Sequence, residues 1–241
     1  MPIGDVAGAA DPFSKNLLQA QFTGSNGSTT FTDDSHYNHV LTAVGNAQIQ
    51  SNKLELDGTG DWVATDRSVR PNWQFLKDDF TGSDDFTIDL WNVTVDSLAA
   101  TQVLLTWWDS SAGHANQRGW ALALSTAGDV LVQYSTNGST TTTLIDNAAG
   151  IATGAAHNYR VVRDTGGGNV YLYIDGSKVA TATLSAATNF FTSDSPLVIG
   201  GEQTLGTAIS MDGRMSAVRL RKEALSTGSS YTVETLPLAT S

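Results

Sequence analysis

Residues 157–184 read HNYRVVRDTGGGNVYLYIDGSKVATATL, and apolar side chains alternate with polar ones through three consecutive runs. Tyr159 and Val161 lie in the first, Val170, Leu172 and Ile174 in the second, and Ala180, Ala182 and Leu184 in the third. A period of two is the signature of a half-buried strand. The runs are separated by Asp164-Thr-Gly-Gly-Gly-Asn169 and by Asp175-Gly-Ser177. Both supply residues that tolerate positive φ, which a tight hairpin turn requires. The stretch therefore predicts a three-stranded antiparallel meander.

Working outward, more strands of the same kind appear. DDFTIDLWNVTV (84–95) places Phe86, Ile88 and Leu90 on one face, and TQVLLTWW (101–108), Gly119–Leu124, 129–135 and 140–145 follow. SPLVIGG (195–201) and MDGRMSAVRLRKEAL (211–225) come after the meander, and the first strand is expected at Leu17–Phe22. Long amphipathic helical runs are missing, so the class is all-β. At 241 residues the chain suits one large sandwich.

Several of these segments carry a resemblance. Val161-Val-Arg-Asp164, a glycine turn and Val170-Tyr-Leu-Tyr-Ile-Asp-Gly176 resemble the laminin-G-like, concanavalin A-like jelly-roll domains, although Ala156 stands where those domains usually have Trp. FTDDS, GNAQI and LELDGTGDWV, within 31–65, resemble the copies of that domain found in bacteriophage structural proteins. Asp212-Gly-Arg with Ala217–Leu220 resembles the last strand, and Leu225, Tyr231 and Pro237 the tail that follows it in phage-encoded copies. The resemblance implies an antiparallel β-sandwich over residues 17–225, preceded by an arm (1–16), interrupted by an insertion (66–82) and followed by a tail (226–241).

The formal net charge of −11 argues against a nucleic-acid partner, since a phosphate backbone is bound through clustered Lys and Arg. With no cysteine there is no disulfide framework and no thiolate chemistry. No run reaches the ~18 apolar residues of a membrane span. The opening MPIGDVAGAADPFSKN has neither the basic nor the apolar region of a secretory signal, so either the chain is mature after processing or it leaves the cell by another route, of which lysis of a host by an assembled virus is one that a Met at position 1 favours.

Catalysis finds little support. A retaining glycosidase needs two carboxylates about 5–5.5 Å apart. The related glucanases carry a Glu-x-Asp-x-Glu strand, which this sequence lacks; the nearest pair is Glu55 and Asp57, and Asp57 is accounted for by the Asp-Gly turn. No Ser sits in a Gly-x-Ser-x-Gly elbow, His36 and His39 have no further zinc-like spacing, and His157 opens a strand where packing explains it.

Binding is better represented. Structural calcium, which laminin-G-like sandwiches often hold, has candidate ligands in Asp33, Asp34, Asp57, Asp61 and Asp212, each also suited to a turn without metal. A sugar is held by an aromatic platform flanked by polar groups. Trp107, Trp108, Asp109, His114, Asn116, Gln117 and Arg118 fit that description, with the two tryptophans directed to opposite faces so that one is core and the other exposed. The same loop suits a protein partner, because aromatics and Arg are enriched at interfaces. Trp73, Phe75, Leu76 and Phe80 make the insertion an expected attachment surface, together with the arm and the tail.

The reading is a non-catalytic, lectin-like virion component: a capsid decoration, head-fibre or tail-adhesion protein. It is expected on the particle surface, as a homo-oligomer, among other virion proteins and in reach of cell-surface glycans. A free-standing carbohydrate-binding module is the alternative, and a β-glucan hydrolase the third.

Overall fold

The computed structural model describes residues 15–65, 84–109, 116–202 and 209–239, and within them the regular structure is entirely β. No helix there is long and apolar enough to cross a membrane. The strands are β1 (Asn16–Gln21), β2 (Thr30–Phe31), β3 (Leu41–Val44), β4 (Gln48–Gln50), β5 (Lys53–Asp57), β6 (Trp62–Thr65), β7 (Phe86–Val95), β8 (Gln102–Asp109) and β9 (Gln117–Leu124). They continue as β10 (Val130–Gly138), β11 (Thr142–Asn147), β12 (Ala156–Asp164), β13 (Asn169–Ile174), β14 (Ser177–Thr183), β15 (Val198–Ile199), β16 (Asp212–Met215) and β17 (Ala217–Arg221).

Two antiparallel sheets form the sandwich. One runs β14-β13-β12-β7-β16-β5-β4, with β17 also on β7 and β1 beyond it; the other runs β11-β10-β9-β8-β15-β6-β3-β2. The meander is β12-β13-β14, in the expected order and antiparallel. Its second turn is Asp175-Gly176, both at positive φ (50° and 82°), which matches the twist of a two-residue hairpin.

The long strand β7 is the pivot. β12 pairs along one of its edges, while the other is shared: β16 pairs Gly213 with Val95 and β17 pairs Ala217–Arg221 with Trp91–Thr87. Gly213 has φ 152°, and a Cβ there would run into the Thr94 carbonyl. Only glycine lets β16 lie this close to β7.

The expected alternation holds on the inner face. Phe86, Ile88 and Leu90 join Tyr159, Val161, Val170, Leu172, Trp107, Trp120 and Leu122 in one core cluster between the sheets. The outer face of the first sheet is buried as well, which alternation alone does not predict. Trp91 packs with Ala217 and Leu238, and Tyr171 and Tyr173 pack with Val162, Ala224 and Tyr231. The cover is the stretch after β17. Residues 226–239, expected as a tail for attachment, instead lie back across their own sheet: Lys178 and Tyr231 exchange backbone hydrogen bonds with Ser229 and Gly176, and the Gln21 amide brackets the Leu238 backbone. Leu238 is buried against Trp91, and Tyr231, Val233 and Leu236 are half-buried against the sheet. The arm ends earlier than expected, because Asn16 already pairs with Arg221 in β1. The insertion, with Trp73, Phe75, Leu76 and Phe80, lies outside the described residues.

Candidate functional site

The end of the sandwich reached by the C-terminus of β7 gathers three loops. The loop between β5 and β6, residues 58–61, lies beside residues 97–101, between β7 and β8, and Ile209–Ser210, before β16. Together they border a cleft of about 430 Å3. That is within the range of small-ligand sites, roughly 300–1,000 Å3.

Local hydrogen bonds set the cleft's shape. The Asp61 side chain, 1% exposed, accepts from Asp57 N at 2.7 Å and from Asn46 N at 3.4 Å, folding the Asp-Gly-Thr-Gly-Asp turn over its own carboxylate. Asp57 accepts from Asn46 Nδ2 at 2.6 Å and from Thr59 N at 2.9 Å. Ser210 Oγ accepts from Gly60 N, and Gln102 Oε1 accepts from Asp212 N at 2.7 Å. At Gly58, φ 78°, a Cβ would sit 2.8 Å from Asp212 Cβ, so the turn and β16 touch through glycine.

The electrostatics are one-sided. Asp57 and Asp212 stand directly opposite each other across β5 and β16. Like charges in that arrangement destabilise a sheet. Asp212's carboxyl is pushed up by burial and by the charges of Asp96 and Asp57, and Asp61's is pushed up by burial. The Asn46 hydrogen bond holds Asp57 below the usual carboxylate range. Arg214 is the neighbouring cation, bound to Glu55 at 2.6 Å and to Asp96 at 3.0 Å. Glu55, the partner of Asp57 in the catalytic reading, is thus held in an ion pair.

The calcium candidates sort into two hydrogen-bonded sets. Asp33, 2% exposed, accepts from Gln19 N, Ser35 N, Ser35 Oγ and His39 N, so its oxygens organise the turn after β2. Asp34 accepts from Gln21 Nε2 at the edge of the same turn. Asp57, Asp61 and Asp212 belong to the cleft. Among the described residues no three His, Cys, Asp or Glu side chains are grouped to hold a metal ion. The five carboxylates therefore lie in two separate sets and not around one calcium ion.

The described residues at the opposite end, 107–109 and 116–118, do not form an exposed aromatic platform. Trp107 is in the core, with its indole N–H donating to the Ser195 carbonyl, and Trp108 is only 7% exposed. The register shift between them sets Arg118 opposite Trp108, and its guanidinium, 5.4 Å from the Trp108 ring centre, covers that ring. Arg118 donates to the Ser139 carbonyl. Gln117 is tied through its carbonyl to Ser193 and through its side chain to Asp194. Asp109 is fully buried, Asn116 is exposed at positive φ, and His114 lies outside the described residues. Of the histidines, His39 is buried beneath a stacked Tyr37 ring, with Nε2 3.2 Å from the Leu17 carbonyl oxygen, and burial lowers its pKa. His157 bonds through Nδ1 to Asp175 at 2.7 Å.

A two-sheet jelly roll with its loops gathered at the ends is a lectin-like architecture. Residues 57–229 match the laminin G family model described as the concanavalin A-like lectin/glucanases superfamily, and the chain belongs to that superfamily. No curated protein sequence matches it. Among solved structures, it is similar to the binding domain of botulinum neurotoxin DC in complex with rat synaptotagmin II (TM-score 0.63, 15% identity, 88% of this chain and 49% of that one). It is also similar to the botulinum neurotoxin serotype D ligand-binding domain in complex with N-acetylneuraminic acid (0.61, 14%, 88% and 48%). The Ruminococcus gnavus IT-sialidase CBM40 superposes over 72% of this chain and 91% of its own, with TM-score 0.56 and 22% identity. The chain spans about half the length of the toxin domains, and at these identities the likeness is one of fold.

Proposed function

We propose that the chain is a non-catalytic glycan-binding module that uses the acidic cleft, and that it serves as an attachment component of a virus particle. The observation that carries the glycan reading is the Asp57–Asp212 pair opposed across two strands at the edge of the cleft. An arrangement that weakens the sheet and also lines a cavity is explained by ligand binding. Carboxylates accept hydrogen bonds from sugar hydroxyls, and Thr59, Thr101 and Ser210 add hydroxyls of their own. Ile209, 37% exposed, offers apolar surface beside them. The sign of the charge selects neutral sugars, since a sialic acid carboxylate would meet Asp57, Asp96 and Asp212.

The non-catalytic reading is supported by Glu55 being neutralised by Arg214, and by structural neighbours that are binding domains. The particle role rests on the sequence resemblance of 31–61 and 211–238 to phage structural proteins. Its test is mass spectrometry of purified particles, in which the chain must be found.

The glycan reading is tested by a glycan array followed by calorimetry. At least one neutral glycan should bind with a sub-millimolar Kd, and Asp212→Asn should weaken it at least tenfold. Binding of sialylated glycans alone, or binding indifferent to Asp212→Asn, would contradict the cleft assignment.

A further inference from the structure

Three adjacent strands carry a row of charge on the outer face of the larger sheet. Arg160 on β12 and Arg219 on β17 are the register partners of Asp89 on β7. Asp89 is 2% exposed and receives Arg160 Nε at 2.5 Å and Arg219 Nη2 at 2.9 Å. Two guanidinium groups against one carboxylate leave a positive charge on this face. It stands among aromatic side chains: Arg219 lies over the Trp91 ring, and Tyr173 packs nearby.

The remaining charge is answered from residues 226–239, which form a strap over the face. Glu234 forks onto Arg219 at 2.8 and 2.5 Å and approaches Arg160 to 3.7 Å. The Tyr231 ring covers the Arg160 guanidinium at 3.7 Å, and the Trp91 indole donates to the Glu234 carbonyl at 3.1 Å. Bidentate carboxylate recognition by Arg and stacking on its plane are the features by which a protein reads an acidic peptide. The two sides of the contact are unlike. Both arginine side chains are 4% exposed, whereas the Glu234 side chain is 46% exposed. Asp89 fixes both guanidinium groups on the sheet side, and the strap brings the carboxylate to them.

We infer that the face formed by Arg160, Asp89, Arg219 and Trp91 is a binding site for a peptide carboxylate preceded by an aromatic residue, which the chain fills in cis with Tyr231–Glu234. Lifting the strap leaves Asp89 paired to both arginines and returns their surplus charge to water, so opening is local rather than global. A segment of the same chemistry from outside competes for the site. In the intact chain it faces the high effective concentration of the tethered copy.

The test uses full-length chains and a fluorescein-labelled peptide of residues 229–238, SSYTVETLPL, read by anisotropy. Glu234→Gln in the full-length chain weakens the cis contact, so it should bind the peptide at least tenfold more tightly than the unaltered chain. Tyr231→Ala, a second full-length variant, should do the same. A peptide carrying Gln in place of the Glu should bind at least tenfold more weakly to both variants. Peptide binding to neither variant, equal binding of the Glu and Gln peptides, or amide exchange of residues 231–238 unchanged in both variants would overturn the inference.

Discussion

Two carboxylates on the same sheet, Asp89 and Asp212, sit in opposite electrical settings. Asp89 lies mid-strand between two arginines and beneath a strap, and every charge around it has a close partner of opposite sign. Asp212 lies at a strand end opposite Asp57 and near Asp96, with burial and both neighbours resisting its ionisation. Buried charge tolerated in the interior of a fold is paired charge. At the rim Asp57 is held by the Asn46 and Thr59 N–H groups and Asp96 by Arg214, while Asp212 faces both carboxylates, and on the proposed reading this difference separates the part of the sheet that holds the chain together from the part that meets a ligand.

The largest effect that would break the comparison is at Asp89. Asp89→Ala leaves two buried guanidinium groups facing each other, and urea denaturation should show a loss of about 3–5 kcal/mol. A loss under ~1 kcal/mol would mean that the row is solvated and peripheral.

Next comes the strap in acid. Arg219 holds Glu234 below the usual carboxylate range, with Arg160 and Arg221 contributing and Asp89 behind them. A lowered folded-state pKa stabilises docking above the ordinary glutamate value of about 4.3, and that contribution is lost as pH falls through the lowered value. Amide exchange at 231–238 should therefore accelerate in acid before the β7 and β12 amides do.

At the cleft, Asn46→Ala removes the hydrogen bond that anchors Asp57 and should cost about 1 kcal/mol in thermal or urea unfolding. It should also move the Asp57 carboxyl toward its ordinary pKa, visible by carboxyl NMR titration. The smallest effect is at Asp212 and has the opposite sign. Its raised folded-state pKa contributes stability below the ordinary aspartate value of about 3.9, and that contribution is lost as pH rises through the raised one. Asp212→Asn should therefore be slightly more stable than the unaltered chain at pH 7, with the gain vanishing near pH 3. Greater stability with less glycan binding in one variant would sharpen the contrast with Asp89.

The inner half of the sandwich is legible in the sequence because it is local. The alternation of Tyr159, Val161, Val170, Leu172 and Leu184 and the Asp-Gly turn at 175–176 each need only a few neighbouring residues to be read. The outer half is not. Asp89, Arg160 and Arg219 meet across 71 and 130 residues of chain, and nothing beside any of them marks the row. The strap is aperiodic because side chains and a few bridges hold it, rather than a strand ladder. Alternation expects one of Trp107 and Trp108 in the core, and Trp107 is there, but alternation does not reveal that Arg118 covers Trp108. Three of the acidic residues read as turn formers do shape turns: Asp33, Asp57 and Asp61 each accept a backbone N–H from their own turn. The convergence of Asp57 with Asp212 depends on a register that spacing does not disclose.

The most direct test of the account is NMR mapping of backbone amides during titration with the neutral glycan that the array identifies. Shifts concentrated at Thr59, Gly60, Ala99, Thr101, Ser210 and Asp212, and absent from Trp108 and Asn116–Arg118, are the predicted result. Shifts centred on Trp108 and Asn116–Arg118, with the acidic end silent, would contradict it and move the binding function to the opposite end of the sandwich.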